Sequence, residues 1–223
     1  MSYDLTILTA TIGRKSLERL IDSIDSQTWN GNYLHLLLWD EFRIDDECIP
    51  EYYNNKNRRS IVRFSGGLRF GASPASAVYS MGIMAASTPW VTMADDDVWW
   101  EKNHLEKLFL ALNTEGNWAS TLRMIWTPDG LKKIGVDRFE SVGDDIERNV
   151  PYEMCDSNTM IFKRELGVYA SPPFRETLEY NGDRILYNYF KLYGGERKRT
   201  GLTTINQCCP VHLEEFFRLN CTN

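Results

Sequence analysis

Asp95, Asp96 and Asp97 stand in a row directly after the short apolar run Trp90-Val91-Thr92-Met93-Ala94. Consecutive carboxylates repel one another, and a hard divalent cation with oxygen ligands is the usual compensator. Mg²⁺ or Mn²⁺ on a diphosphate is the common case. In an extended or turn segment, Asp95 and Asp97 point roughly the same way and Asp96 points elsewhere. That leaves one face for metal and Asp96 for another partner, such as a ribose hydroxyl. The bland alternative is that the aspartates only open the following helix, whose dipole favours negative charge at its start.

The elements that must carry these residues are legible mainly in the first half. Leu5-Thr6-Ile7-Leu8-Thr9 is short, apolar and β-branched, and reads as a buried strand. Leu17, Leu20, Ile21 and Ile24 then recur at helical spacing, with Ser16 as a cap candidate. A second apolar run, Leu34 to Trp39, stops at Asp40-Glu41, and the polar stretch from Asp45 to Arg59 reads as surface loop. Ile61 to Phe64 predicts a third strand. Ser73-Pro74 looks like a helix start, and the small residues that follow (Ala75, Ala77, Gly82, Ala85, Ala86) suit close packing on a sheet. Leu105, Leu108, Phe109 and Leu112 mark another amphipathic helix.

Strand–helix alternation over residues 1–112 argues for an α/β fold, a mostly parallel central sheet flanked by helices. Residues 113–223 are less regular. Trp118 to Trp126 and Asn158 to Phe162 read as strands, and Asp183 to Tyr193 as a helix. With no linker, repeat or low-complexity tract, one domain over 1–223 is the simpler reading. In an open parallel sheet ligands bind beyond the carboxyl ends of the strands. Thr9-Ala10-Thr11, Asp40 and the aspartate triplet all fall at such ends.

Composition narrows the function classes. The chain has 223 residues, with 43% hydrophobic and 25% charged, which is ordinary for a globular protein. A net charge of −6 weakens any case for nucleic acid. Arg58-Arg59 and Glu196 to Arg199 are local basic spots, read as solvated surface with a phosphate or acceptor contact as the alternative. No apolar run reaches the roughly 18 residues of a spanning helix, and no signal-like leader opens the chain, so a cytoplasmic protein is the expectation. Five cysteines without CxxC spacing read as buried or free thiols.

The segment from Gly71 through Asp95-Asp96-Asp97-Val98-Trp99 resembles the nucleotide-sugar-binding half of family 2 glycosyltransferases, which have the Rossmann-like GT-A fold. Leu5 to Thr11 is similar to that family's first strand and the loop beneath its nucleoside, and Trp39-Asp40-Glu41 to its base-binding acidic position. The likeness covers residues 1–112 well and 113–223, the acceptor-side part, loosely. It departs at Thr9-Ala10-Thr11, where the family has a proline–threonine step, and at Asp40-Glu41. The resemblance implies that Thr9 and Thr11 line the nucleoside pocket and that Asp40 accepts from the N3–H of uracil or thymine. It further implies that Asp96 bonds the ribose, that Asp97 ligates Mn²⁺ or Mg²⁺ on the diphosphate, and that Asp95 sits beside the metal. Arg69 would approach the phosphates.

An inverting transfer also needs a general base near the acceptor hydroxyl. The family places an aspartate at the start of a late helix, and Gly182-Asp183 fits; Glu179, Glu176 and Asp156 are the alternatives. A late histidine, His212, is a candidate further metal ligand. One of Trp99 and Trp100 could stack on a sugar face, and Asn158 to Met160 resemble part of the acceptor side. The function so implied is transfer of a sugar from a nucleoside-diphosphate sugar, uridine favoured, to a glycan or other hydroxyl acceptor. A homo-oligomer stays open. The rival readings are a nucleotide-sugar-binding subunit without transfer and a sugar-1-phosphate nucleotidyltransferase.

Overall fold

A computed structural model describes residues 2–40, 58–64, 74–113, 115–145, 150–151, 154–175 and 182–222. Three strands, β1 (Leu5–Thr11), β2 (Tyr33–Asp40) and β3 (Arg59–Phe64), run parallel, joined on the first side by α1 (Ser16–Asp25). Helix α2 (Pro74–Ala85) leads to β4 (Trp90–Met93), which pairs parallel with β1 from the other side. β5 (Val98–Trp100) and α3 (His104–Leu112) follow. The second half contributes β6 (Trp118–Trp126), β7 (Lys133–Asp137) and the two-residue pair β8 (Asp144–Asp145) and β9 (Val150–Pro151). Then come β10 (Met160–Lys163), α4 (Arg164–Arg175), α5 (Gly182–Tyr193), β11 (Lys198–Cys208), α6 (Glu214–Asn220) and β12 (Cys221–Thr222). The strand order is β12-β7-β6-β10-β4-β1-β2-β3, with β11 bridging β6 and β5.

Helices cover both faces, as the apolar runs require. Leu37 and Trp39 of β2 join Leu5 and Ile7 beneath α1 and α3, whereas Leu36 and Leu38 join Leu8 beneath α2, α4 and α5. A strand apolar on both faces is what an interior parallel strand needs. α2 lies close on the sheet because Gly82 lacks a side chain; a Cβ there would come within 2.7 Å of Leu38 Cδ1.

The strand directions decide what meets at the carboxyl ends of β1 and β4. β10 runs antiparallel to both β4 and β6. Its start therefore sits beside the end of β4 and brings the preceding 3₁₀ turn Ser157–Thr159 against the triplet. β11 runs parallel to β6 and antiparallel to β5, which carries its last residues past Val98.

Several sequence expectations need correction. Arg59 opens β3 and is buried, not part of a surface loop. Its guanidinium donates to Asp25 (2.9 Å) and to His35 Nδ1 (3.1 Å), which supplies the partners that burial demands. Most of the proposed 45–59 loop lies outside the described residues. Residues 158–159 belong to the 3₁₀ turn, and the strand starts at Met160. The long β11 carried no clear sequence signal, because its register shifts between Arg199 and Thr203, around Gly201 at φ +66°, and breaks the alternation. Cys155, Cys208, Cys209 and Cys221 are free thiols, as expected.

Candidate active site

The triplet leaves β4 at the centre of the sheet's carboxyl edge, and its three carboxylates meet three different environments. Asp96 is buried; it accepts from the Thr11 hydroxyl at 2.7 Å and from Arg14 Nη1 at 2.8 Å. Thr11 in turn accepts from the Gly13 amide, so the turn after β1 is built around this one carboxylate. Asp95 accepts from the Tyr79 hydroxyl of α2 at 2.7 Å and from Asn158 Nδ2 at 2.8 Å, while its own amide donates to Asn158 Oδ1 at 2.5 Å. Asp97 is the least engaged. The one hydrogen bond reaching it among the described residues is a long 3.4 Å donation from Gln207 Nε2.

Behind the triplet lies Arg123 of β6, only 3% exposed. Its guanidinium meets Asp137 and Asp156 at 2.6 Å and Glu140 at 2.7 Å, and donates to Gln207 Oε1 at 2.7 Å. Asp156 also accepts from the backbone and side-chain nitrogens of Asn158, each at 2.8 Å. A chain of bonds thus runs from Asp95 through Asn158, Asp156, Arg123 and Gln207 to Asp97. Both outer aspartates of the triplet are tied to one buried cation.

Carboxylates outnumber cations here, and the titration directions show it. Burial works against the charge of Arg123, but Asp156, Asp137 and Glu140 overcome it and hold the guanidinium above its usual range. Burial, then the charges of Asp97 and Asp156, push Asp95 up to about 7. Burial and Asp96 raise Asp97, with Arg14 and Gln207 opposing. Asp183, second residue of α5, is raised well above the ordinary carboxylate value by burial and then by Asp156 and Glu140. Such an excess of buried negative charge gains from a cation or a proton.

Asp183 and Asp95 line one cavity of about 200 Å³ together with Ser76, Tyr79, Ser157 and Phe174. Gly182 makes this possible: a Cβ there would sit 2.6 Å from Ser76 Oγ and hold α5 away from α2. The Ser157 amide donates to Asp183 at 3.3 Å.

The donor set fits a divalent ion in one specific sense. Among the described residues no three His, Cys, Asp or Glu side chains converge as a cage. Mg²⁺ and its like need none, since they are commonly held by one or two carboxylates with the rest supplied by substrate phosphates and water. Asp97, with its spare oxygen capacity, is the residue that would hold the ion.

Other predicted positions are distributed as follows. Thr9 is fully buried, its hydroxyl 3.0 Å from His35 Nε2 inside the Thr9–His35–Arg59–Asp25 chain. Burial, then the charge of Arg59, keeps His35 neutral. The backbone of Asp40 ends β2 beside Phe64, but its side chain, like Arg69, Glu176 and Glu179, lies outside the described residues. His212 is exposed on the 3₁₀ turn after β11, with no bond to the triplet among the described residues. Trp100 is buried, its ring 4.4 Å from that of His104, whereas Trp99 is partly exposed, with Arg19 Cζ 3.6 Å from its ring centroid. Sequence reasoning missed Arg14, Tyr79, Arg123 and Gln207. Only Arg123, an arginine inside an apolar strand, left a signal.

No protein-family model matches the chain and no curated protein matches its sequence. Solved structures do match. S. aureus TarS residues 1–349 superpose with a TM-score of 0.67 at 14% identity, covering 92% of this chain and 60% of that one. The same TarS segment in complex with UDP-GlcNAc gives 0.65 at 12% identity, covering 93% and 59%. Its complex with UDP gives 0.64 at 13%, covering 96% and 62%. The chain therefore has a GT-A-like α/β fold and spans about 60% of the length of these TarS 1–349 chains. No helix among the described residues is long and apolar enough to cross a membrane.

Proposed function

We propose that the protein is a metal-dependent, inverting glycosyltransferase that moves a sugar from a nucleoside-diphosphate sugar, a UDP-sugar foremost, to a hydroxyl of a glycan. The observation that carries this is the shared cavity of Asp95 and Asp183, which sets the carboxylate triplet beside a carboxylate of raised basicity. The fold supports the donor class, since neighbours of the same fold hold UDP-GlcNAc and UDP.

In this reading Asp97 holds Mn²⁺ or Mg²⁺, and the ion, when bound, neutralises charge on the departing diphosphate. Asp183 takes the proton from the acceptor hydroxyl as that oxygen bonds to the anomeric carbon. The bond from that carbon to the diphosphate oxygen breaks on the opposite face, and its electron pair leaves with the nucleoside diphosphate. A carboxylate with a raised pKa is the stronger base for this step. Tyr79 and Asn158 fix Asp95 between the two sites. Asp96 is already held by Thr11 and Arg14, so a ribose contact from it would compete with Arg14, whose side chain is half exposed. His212, exposed on its turn, would be a further ligand.

The test is release of UDP from UDP-sugars by the Mn²⁺-loaded protein in the presence of glycan acceptors. Asp183→Asn should retain UDP binding and lose about 10²–10⁴-fold in turnover, the usual worth of a positioned base. Unchanged turnover in that variant contradicts the assignment of the base. Retained binding without turnover in the wild type would favour a donor-binding subunit.

A further inference from the structure

The end of the sheet opposite the candidate site has the reverse character. At the amino-terminal ends of β6 and β11, a cleft of about 760 Å³ is lined by Lys191, Arg197, Lys198 and Arg199 with a single acid, Glu196. Glu196 takes up one of these charges, pairing with Lys198 at 2.9 Å. Arg197 lies in the wall, its Cζ 5.5 Å from the Tyr187 ring centroid and Nη1 on the Met154 carbonyl. Its Nε and Nη2 are buried with no hydrogen-bond partner among the described residues. This cationic concentration stands on a chain whose net charge is −6.

Across the carboxyl-terminal end of α5 lies a second cleft of about 490 Å³, walled by Tyr169, Tyr189, Tyr193 and Leu166, with one cation, Lys163, and one acid, Glu165. The residues around it project into solvent: Tyr169 is 69% exposed, Leu192 75% and Tyr193 66%. Leu110, near the end of α3 and one residue before Ala111 of the basic cleft, is 69% exposed. Large apolar side chains left out of both cores and grouped beside cations are a departure from an ordinary surface. The side chains of Lys191, Leu192 and Tyr193 alternate cation, aliphatic and aromatic at the point where α5 ends, above a turn pinned by Asn117 and Trp118 on the carbonyls of Gly194 and Gly195.

We propose that this end of the molecule docks on an anionic phospholipid surface. Lysine and arginine there meet lipid phosphates, and the leucine and tyrosine side chains enter the headgroup–acyl boundary, where aromatic rings with one polar end are favoured. Neither component suffices alone, since a few cations or a few apolar side chains give weak, reversible attachment, whereas together they hold. The occupant is chosen by chemistry: the cations call for phosphate, and the exposed leucines call for hydrocarbon that a soluble phosphate compound lacks. Docked this way, the acidic edge bearing Asp95 and Asp183 faces away from the negative surface.

Sedimentation with phosphatidylcholine vesicles, with and without phosphatidylglycerol, tests this. Partitioning should appear with phosphatidylglycerol and weaken as salt is raised. Each cation near the surface contributes roughly five-fold to partitioning, so the Lys198→Ala/Arg199→Ala double variant should bind about twenty-fold more weakly. Leu192→Ser/Tyr193→Ser should also weaken binding, while Lys132→Ala, an exposed change on a turn beyond β6, should not. Hydrogen-exchange protection of residues 189–199 in the vesicle-bound wild type gives a readout free of any folding defect in the variants. No phosphatidylglycerol-dependent binding, binding equal across the variants, protection at the Asp95 edge, or binding of free tripolyphosphate without vesicle partitioning would each overturn the proposal.

Discussion

Two buried arginines divide this molecule into a part that is finished and a part that is waiting. Arg59 sits with one carboxylate, Asp25, and with a neutral His35 whose other nitrogen meets Thr9. Among the described residues the Arg59 guanidinium meets one carboxylate, and every link of this chain has its partner. Arg123 sits with three carboxylates, and the charge of one of them, Asp156, helps to raise three more, Asp95, Asp97 and Asp183. Balanced networks hold strands together. A network with excess charge of one sign, at the carboxyl edge of a parallel sheet and beside a cavity, is built for something that arrives later.

That difference can be broken experimentally, and the largest effect is expected at Arg123. Arg123→Met strands two buried carboxylates, Asp137 and Asp156, beside the partly exposed Glu140, and should cost about 3–5 kcal/mol in denaturant unfolding. Arg59→Met should cost less, about 1–3 kcal/mol, since Asp25 is 24% exposed and can turn to water. Equal costs would mean that the two networks do the same job.

The pH dependence sharpens the contrast. Asp183 has a folded pKa raised above the ordinary 3.8, so the native state favours its protonated form. The stability this contributes is present at low pH and lost as pH rises through the folded value. Asp183→Asn removes that loss. The melting temperature of the variant relative to wild type should therefore climb from pH 4 to pH 8, by at least about 2–4 °C, the equivalent of roughly 1 kcal/mol in a domain of this size. A gap that narrows over that range contradicts the assigned environment.

The smallest effect belongs to Thr9. Thr9→Val removes the partner of His35 Nε2 and should cost about 1 kcal/mol, with nucleotide affinity unchanged. Lost affinity would return Thr9 to the nucleoside pocket that the family resemblance implies.

What the sequence disclosed follows from these same physical differences. Strands β1, β2 and β4 are continuous apolar runs because both faces are buried, and such runs are visible without partners. The triplet stood out because three adjacent carboxylates are costly unless compensated, and Asp183 because the family resemblance points to an aspartate opening a late helix. The supporting groups were hidden because their meaning is not local. Arg123 meets Asp137 and Glu140 only once β7 folds back on β6, and Asp156 and Gln207 only after an antiparallel β10 and a bulged β11 bring them in. Tyr79 lay unseen within the small-residue helix, because helical spacing marks it as core and says nothing of its hydroxyl. Arg59 was misplaced since a polar stretch runs up to it, and burial of an arginine depends on partners 34 and 24 residues away.

The account turns on whether the outer aspartates of the triplet serve a nucleotide. Calorimetric titration of UDP with and without Mn²⁺, on wild type and Asp97→Ala, tests that most directly. The predicted result is binding that requires the metal and disappears in the variant. Metal-independent binding that survives Asp97→Ala, or no binding of UDP under any of these conditions, would contradict it.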